Sequence, residues 1–247
     1  MQGMIGLPDG ITACLFDLDG VLTGTAALHR EAWKQTFDQF LRERDGSGFH
    51  PFTDADYANY VDGRPRLDGV RTFLAARGID LPEGDPGDAV TEHTVHGLGN
   101  RKNDLVLRII AERGPNPYEG SRRYLEAARD AGLAIAVVTS SANAQAVLDA
   151  AGFTPFVQAR IDGLVITRDG LRGKPAPDSF LAGAKALGVE PKQAAVFEDA
   201  LAGVEAGRAG NFGFVVGVNR ADQAEALREH GADVVVEDLA ELLGDQA

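Results

Sequence analysis

The strongest constraint on the fold is a rhythm in which short, uniformly apolar runs alternate with longer amphipathic ones. Runs at 11–16, 133–138, 194–197, 212–218 and 233–236 are too short for buried helices and apolar on both faces, as strands covered on both sides must be. Between them, helical periodicity covers 121–131, 142–151, 177–187, 201–209 and 221–230. Gly132, Gly152, Gly188, Gly210 and Gly231 stand just past those segments, where a left-handed residue ends a helix. The alternation predicts an α/β fold, a doubly wound parallel sheet with helices on both faces.

Residues 25–113 break the rhythm. Helical patterns at 26–44, 54–61, 67–77 and 101–113 are separated by polar, Gly- and Pro-bearing stretches at 44–54 and 81–88, with no buried strand among them. The expected organisation is therefore a discontinuous α/β core domain, 1–24 and 114–247, with a small helical cap domain, 25–113, inserted after the first strand. The chain carries 37 acidic against 24 basic residues, a net charge of -13, which disfavours non-specific binding to nucleic acid or anionic membranes. No stretch approaches the roughly 20 apolar residues of a membrane helix, and residues 1–10 have neither the basic end nor the apolar run of a signal peptide. The single cysteine, Cys14, excludes an intramolecular disulfide framework and a cysteine-rich zinc site. It lies within the first strand and is expected to be a buried thiol, which fits a cytoplasmic protein.

Ligands of open α/β sheets bind outside the carboxyl ends of the strands. The residues leaving the strands there are Asp17-Leu18-Asp19-Gly20-Val21-Leu22-Thr23, Thr139-Ser140-Ser141, the Gly173–Asp178 region with Lys174, and Glu198-Asp199. Carboxylates at that density repel one another unless a cation sits among them, and Mg²⁺, a hard ion that takes oxygen ligands and substrate phosphate, fits. The residues 170–174 are not a phosphate-binding P-loop, since the spacing between glycines is wrong and Pro175 follows the lysine. Gly203, Gly207 and Gly210 miss the dinucleotide spacing and are expected to serve packing and the helix end.

Asp17–Thr23 resembles the DxDGxxT nucleophile loop of the haloacid dehalogenase superfamily, and Thr139, Lys174 and Glu198-Asp199 resemble its second, third and fourth motifs in the same order. That resemblance covers residues 10 to 240 and implies a Rossmann-like core. Asp17 is implied as the nucleophile that forms an aspartyl phosphate. Asp19, two residues on and on the same side of the turn, is implied as the general acid and base. The resemblance further implies Mg²⁺ held by Asp17, the backbone carbonyl of Asp19, Glu198 and Asp199, with Thr139 and Lys174 holding the transferring phosphoryl group.

The cap sequence is similar to that of the β-phosphoglucomutase-like subfamily. Thr25 and His29 after the nucleophile loop, Trp33-Lys34, Gly63 and Arg66, Arg101-Lys102-Asn103-Asp104, and Ser140, Ser141 and Asn143 carry the likeness. It implies sugar-phosphate contacts from Thr25, His29, Gly63, Arg66, Lys102, Ser140, Ser141 and Asn143. Three positions depart from the pattern: Gly24 stands for Asp, Ala142 for Lys and Ala200 for a small polar residue. The activity implied is interconversion of β-glucose 1-phosphate and glucose 6-phosphate through a β-glucose 1,6-bisphosphate intermediate, by a monomer. The alternative is a Mg²⁺-dependent sugar-phosphate phosphatase, which shares the core motifs and differs in letting water reach the phosphoenzyme. Trp33 and Phe37, at helical spacing, are expected in the cap core, and His93 and His96 in structural or exposed positions.

Overall fold

The structure, a computed structural model, describes residues 5–244; the outermost residues of the expected core domain and of the leader reading, 1–4 and 245–247, lie outside the described residues. The chain divides into two compact units, Met1–Gly24 with Pro115–Ala247, and Thr25–Gly114. In chain order, β1 (Ala13–Phe16) leads into four helices of the second unit: α1 (Thr25–Asp45), a single turn α2 (Asp54–Asp56), α3 (Arg66–Ala76) and α4 (Val95–Arg113). The first unit resumes with α5 (Glu119–Asp130), β2 (Ala134–Val138), α6 (Ala144–Ala151), β3 (Ala159–Ile161), α7 (Gly163–Arg168) and α8 (Asp178–Leu187). It ends with β4 (Ala194–Glu198), α9 (Leu201–Ala209), β5 (Phe214–Val218), α10 (Ala224–Glu229) and β6 (Val234–Val236).

The six strands form one sheet in the order β3-β2-β1-β4-β5-β6, and every neighbouring pair is parallel. This is the doubly wound α/β architecture expected from the alternation. Chain order reverses at β1, between β2 and β4, which makes the carboxyl end of β1 the topological switch point where such sheets bind ligands.

Strand periodicity sends alternate residues to opposite faces. On one face Leu15, Val138 and Val196 are buried with Phe180 and Ala184 of α8. On the other, Phe16 stacks on Phe197 at 4.4 Å, and Tyr124 of α5 closes over both at 6.1 and 5.3 Å. Cys14 lies fully buried in β1, and burial raises its thiol pKa well above the ordinary value. Helix α8 lies close to the sheet because residue 183 is glycine: a Cβ there would stand 2.8 Å from Val138 Cγ2 and 3.1 Å from Leu15 Cδ2.

The helical unit has its own core. Trp33, Phe37, Phe40 and Leu41 line one stripe of α1 and are buried with Phe73 and Leu74 of α3 and Leu98 of α4. Trp33 stacks on Phe37 at 5.1 Å, as expected of core residues, while His93 pairs with Glu43 at 3.1 Å on the surface. No helix among the described residues is long and apolar enough to cross a membrane.

Four elements differ from expectation. Strand β3 and helix α7 were not expected, since β3 has only three residues and one of them is Arg160. Helix α4 begins at Val95 rather than 101, because Thr94 Oγ1 accepts the Gly97 amide at 2.8 Å and caps it there. Within these added turns, a Cβ at 97 would collide with Glu92 O and one at 99 would lie 2.9 Å from Leu67 Cδ2. Gly210 is not left-handed (φ -79°); Asn211 takes the positive φ instead, and glycine is needed at 210 because a Cβ would meet the Phe212 ring at 2.6 Å.

Gly183→Val forces α8 away from β1 and β2. Overpacking of this kind costs about 1–3 kcal/mol, so the urea midpoint of unfolding is expected to fall; an unchanged midpoint would show that the sheet face has room to spare.

Candidate active site

The loop leaving β1 is held by its own backbone. Asp17 continues the ladder by donating its amide to Phe197 O at 2.9 Å, after which the chain turns. Leu18 O accepts the amides of Leu22 and Thr23 at 3.0 and 3.1 Å, and the Gly20 amide donates to Thr23 O at 2.7 Å. Leu18, Val21 and Leu22 are fully buried beneath the turn, and Ser121 Oγ donates to Val21 O at 2.7 Å. Gly20 has φ +96°, and a Cβ there would overlap the Asp199 carboxylate. Glycine is thus demanded twice, by the turn and by the approach of a carboxylate from β4.

Lys174 is the centre of the site. Its ammonium, fully buried, donates to Asp17 Oδ1 at 2.6 Å, Glu198 Oε1 at 2.6 Å and Val138 O at 3.0 Å, which matches its three hydrogens to acceptors from three strand ends. Burial alone would lower the Lys174 pKa, but Asp17 and Glu198 more than offset it and hold the group protonated above the ordinary lysine value. Asp17 carries the opposite tension: burial pushes its carboxyl up, Lys174 pulls it down, and Glu198 and Asp19 push it up again, leaving it well above the usual range. The Glu198 carboxylate also accepts the Ala200 amide at 3.1 Å and fits only because residue 203 is glycine.

One ammonium therefore serves two carboxylates. Oxygen atoms of Asp17, Glu198 and Asp199, all buried, lie within 4.8 Å of one another, a donor set that could hold a hard divalent cation. Thr139, buried at the end of β2, donates from Oγ1 toward Asp19 Oδ2 at 3.5 Å and accepts the Ser141 amide at 3.1 Å. Ser141 Oγ accepts the Asn143 amide at 3.2 Å, so 139–143 form one folded loop with Ser140, Ser141 and Asn143 half-buried. Gly163 permits this loop, because a Cβ there would press on Ser140 O at 2.7 Å and the Ala142 amide at 2.9 Å. At Gly24, a Cβ would stand 2.7 Å from Asn116 Nδ2, the end of a side chain.

The remaining sequence-singled residues lie in the helical unit. Thr25 is buried at the start of α1. One turn later, His29 Nδ1 stands 2.7 Å from the Nζ of Lys102, itself nearly buried and 5.0 Å from the centre of the Trp33 ring. Arg66 opens α3 with its stem over Gly99 and its Nε buried without a hydrogen-bond partner; burial lowers its pKa, and Asp104 opposes the shift. Gly63 follows the π-type turn Tyr57–Val61 with φ +71°.

Two residues at the core site were missed. Arg220 Nε donates to Gly20 O at 2.9 Å, and Gln223 Nε2 donates to Asp199 O at 3.0 Å. Both follow β5, so the strand-end rule that selected the other loops would have found them had it been applied to every strand.

A family described as haloacid dehalogenase-like hydrolase matches residues 11–211, and the chain belongs to that family. Over 247 aligned positions it is 58% identical to a β-phosphoglucomutase of Mycobacterium bovis, covering 97% of this chain and 94% of that protein. It is 30% identical to the validoxylamine A 7'-phosphate phosphatase of Streptomyces hygroscopicus, covering 92% and 94%. The crystal structure of a β-phosphoglucomutase from Clostridium difficile superposes with a TM-score of 0.74 at 26% identity, covering 94% of this chain and 93% of that one.

Lys174→Met leaves two buried carboxylates without their counter-charge. Breaking a buried pair from one side costs about 3–5 kcal/mol, a loss that denaturant unfolding at neutral pH reads directly. Added Mg²⁺ is expected to restore part of it by returning positive charge to Asp17 and Glu198. A variant as stable as the native protein would contradict the pairing.

Proposed function

We propose that the chain is a cation-dependent phosphomutase that interconverts β-glucose 1-phosphate and glucose 6-phosphate. The observation that carries the reading is the 58% identity, over nearly the whole of both chains, to a β-phosphoglucomutase. Asp17, oriented by Lys174 at the end of β1, attacks a phosphorus of β-glucose 1,6-bisphosphate, the bond to the sugar oxygen breaks, that oxygen leaves with a proton, and Asp17 becomes an aspartyl phosphate. That phosphoryl group passes to the 6-hydroxyl of β-glucose 1-phosphate, giving the 1,6-bisphosphate. After the intermediate turns round, Asp17 takes the phosphoryl group from C1 and glucose 6-phosphate leaves. Asp19 removes the proton from the attacking hydroxyl in one half-reaction and returns a proton to the departing oxygen in the other.

Lys174 and Thr139 lie where charge develops on the transferring group. We assign the phosphate that is not transferring to Arg66 and Lys102, with Ser140, Ser141 and Asn143. Thr25, His29 and Gly63 complete the substrate contacts, His29 setting the orientation of Lys102. Mg²⁺ would be held by Asp17, the carbonyl of Asp19, Glu198 and Asp199, where it would neutralise phosphoryl oxygens. The acidic surface and single buried thiol suit a monomer of the cytoplasm that binds a small sugar phosphate and no nucleic acid.

The phosphatase reading, favoured by the 30% identical relative, predicts a different fate for the phosphoenzyme. Phosphorus NMR of β-glucose 1-phosphate with Mg²⁺ and a trace of β-glucose 1,6-bisphosphate separates the two. Glucose 6-phosphate with little inorganic phosphate is expected; stoichiometric inorganic phosphate would overturn the mutase. Asp17→Asn is expected to lower turnover roughly 10⁴-fold or more, as removal of a covalent nucleophile does, and retained turnover would remove Asp17 from its role.

A further inference from the structure

The segment between β5 and α10 reaches the backbones of both loops that carry the acidic cluster. Arg220 Nε donates to Gly20 O at 2.9 Å, in the loop of Asp17 and Asp19. Its Nη1 donates to Glu237 O at 2.8 Å, and its guanidinium lies 3.8 Å from the centre of the Tyr118 ring. Tyr118 in turn donates its amide to Leu22 O at 3.0 Å, at the far end of the same loop. Three residues beyond Arg220, Gln223 Nε2 donates to Asp199 O at 3.0 Å. The Gln223 amide is held by Asn219 Oδ1 at 2.8 Å, and Asn219 Nδ2 donates to Glu237 Oε1 at 2.7 Å. The Asn219 amide donates to Val236 O at 2.8 Å. One short segment, anchored on the end of β6, thus grips the loop of Asp17 on one side and the backbone of Asp199 on the other.

We propose that Arg220 and Gln223 are positioning residues that fix the separation of Asp17 and Asp199 and so set the affinity of the cation site. The inference rests on the cation-dependent reading above. Three buried carboxylates within 4.8 Å of one another repel and push their loops apart. Side-chain donors placed on backbone carbonyls resist that spreading without occupying any carboxylate oxygen that would bind the ion. A site held ready binds without reorganisation, whereas loosened loops must be drawn together by the ion itself. The geometry also argues against a purely stabilising role for Arg220, since its Nη2 is buried with no hydrogen-bond partner, a cost that a methionine stem over Tyr118 would not carry.

The test is Mn²⁺ binding to the purified full chain, followed by the electron paramagnetic resonance signal of free Mn²⁺, alongside thermal melting in chelator. Gln223→Leu and Arg220→Met are each expected to weaken Mn²⁺ binding ~10-fold or more, in the range for outer partners of metal ligands. Their melting temperatures in chelator should stay close to that of the native protein. Arg220→Lys, which keeps a donor for Gly20 O, should recover most of the affinity. Native affinity in both variants would overturn the brace, and so would a loss that merely tracks a general fall in melting temperature. Asp199→Asn serves as the control on the underlying reading. If it leaves Mn²⁺ binding intact, the cation site itself is wrong; if it abolishes binding while the other two variants are unaffected, only the brace fails.

Discussion

A lysine with no access to water, bonded to two carboxylates and a carbonyl, is the interaction on which the rest of the site depends. Lys174 stands 2.6 Å from both Asp17 and Glu198. Taking those charges out of water is expensive, and a buried ion pair is weak warrant for stability in itself. Its consequence here is geometric. With all three ammonium hydrogens committed, one Asp17 oxygen is fixed by Lys174. Buried oxygens of Asp17, Glu198 and Asp199 lie within 4.8 Å of one another, a donor set suited to a hard divalent cation.

The sheet makes this arrangement possible. Because chain order reverses at β1, the loops after β1, β2 and β4 emerge side by side, and Lys174, from the segment between α7 and α8, reaches Asp17 from 157 positions away in the chain. Glycines then admit the close approaches that the charges require. Gly20 lets Asp199 lie against the nucleophile loop, Gly203 makes room for Glu198, and Gly163 lets the loop after β2 fold against α7. Each is a place where a methyl group would displace a functional oxygen or the backbone that carries one.

Much of this was legible in the sequence, for physical reasons that differ from residue to residue. β1, β2, β4 and β5 announce themselves because strands buried on both faces must be apolar throughout. Asp17, Asp19, Lys174, Glu198 and Asp199 stand out because phosphoryl chemistry needs charged side chains at strand ends, and the structure does bring Asp17, Lys174, Glu198 and Asp199 together. β3 was hidden by its length and by Arg160, and the first turns of α4 by Gly97 and Gly99, poor helix formers that stand where a Cβ would crowd its neighbours. Arg220 and Gln223 stand in the segment after β5, which strand-end placement singles out, but their acceptors are the carbonyls of Gly20 and Asp199, and a backbone acceptor leaves no mark in the sequence.

The central claim is that this buried constellation makes Asp17 a covalent phosphoryl acceptor. Incubation with acetyl phosphate and Mg²⁺ lets the carboxylate oxygen bond to phosphorus as acetate departs. Borohydride reduction of the quenched protein then converts the acyl phosphate to homoserine, which peptide mass spectrometry locates. The account predicts homoserine at position 17 and nowhere else. Modification at Asp19 or another carboxylate, or none at all in protein shown to turn over substrate, would contradict it.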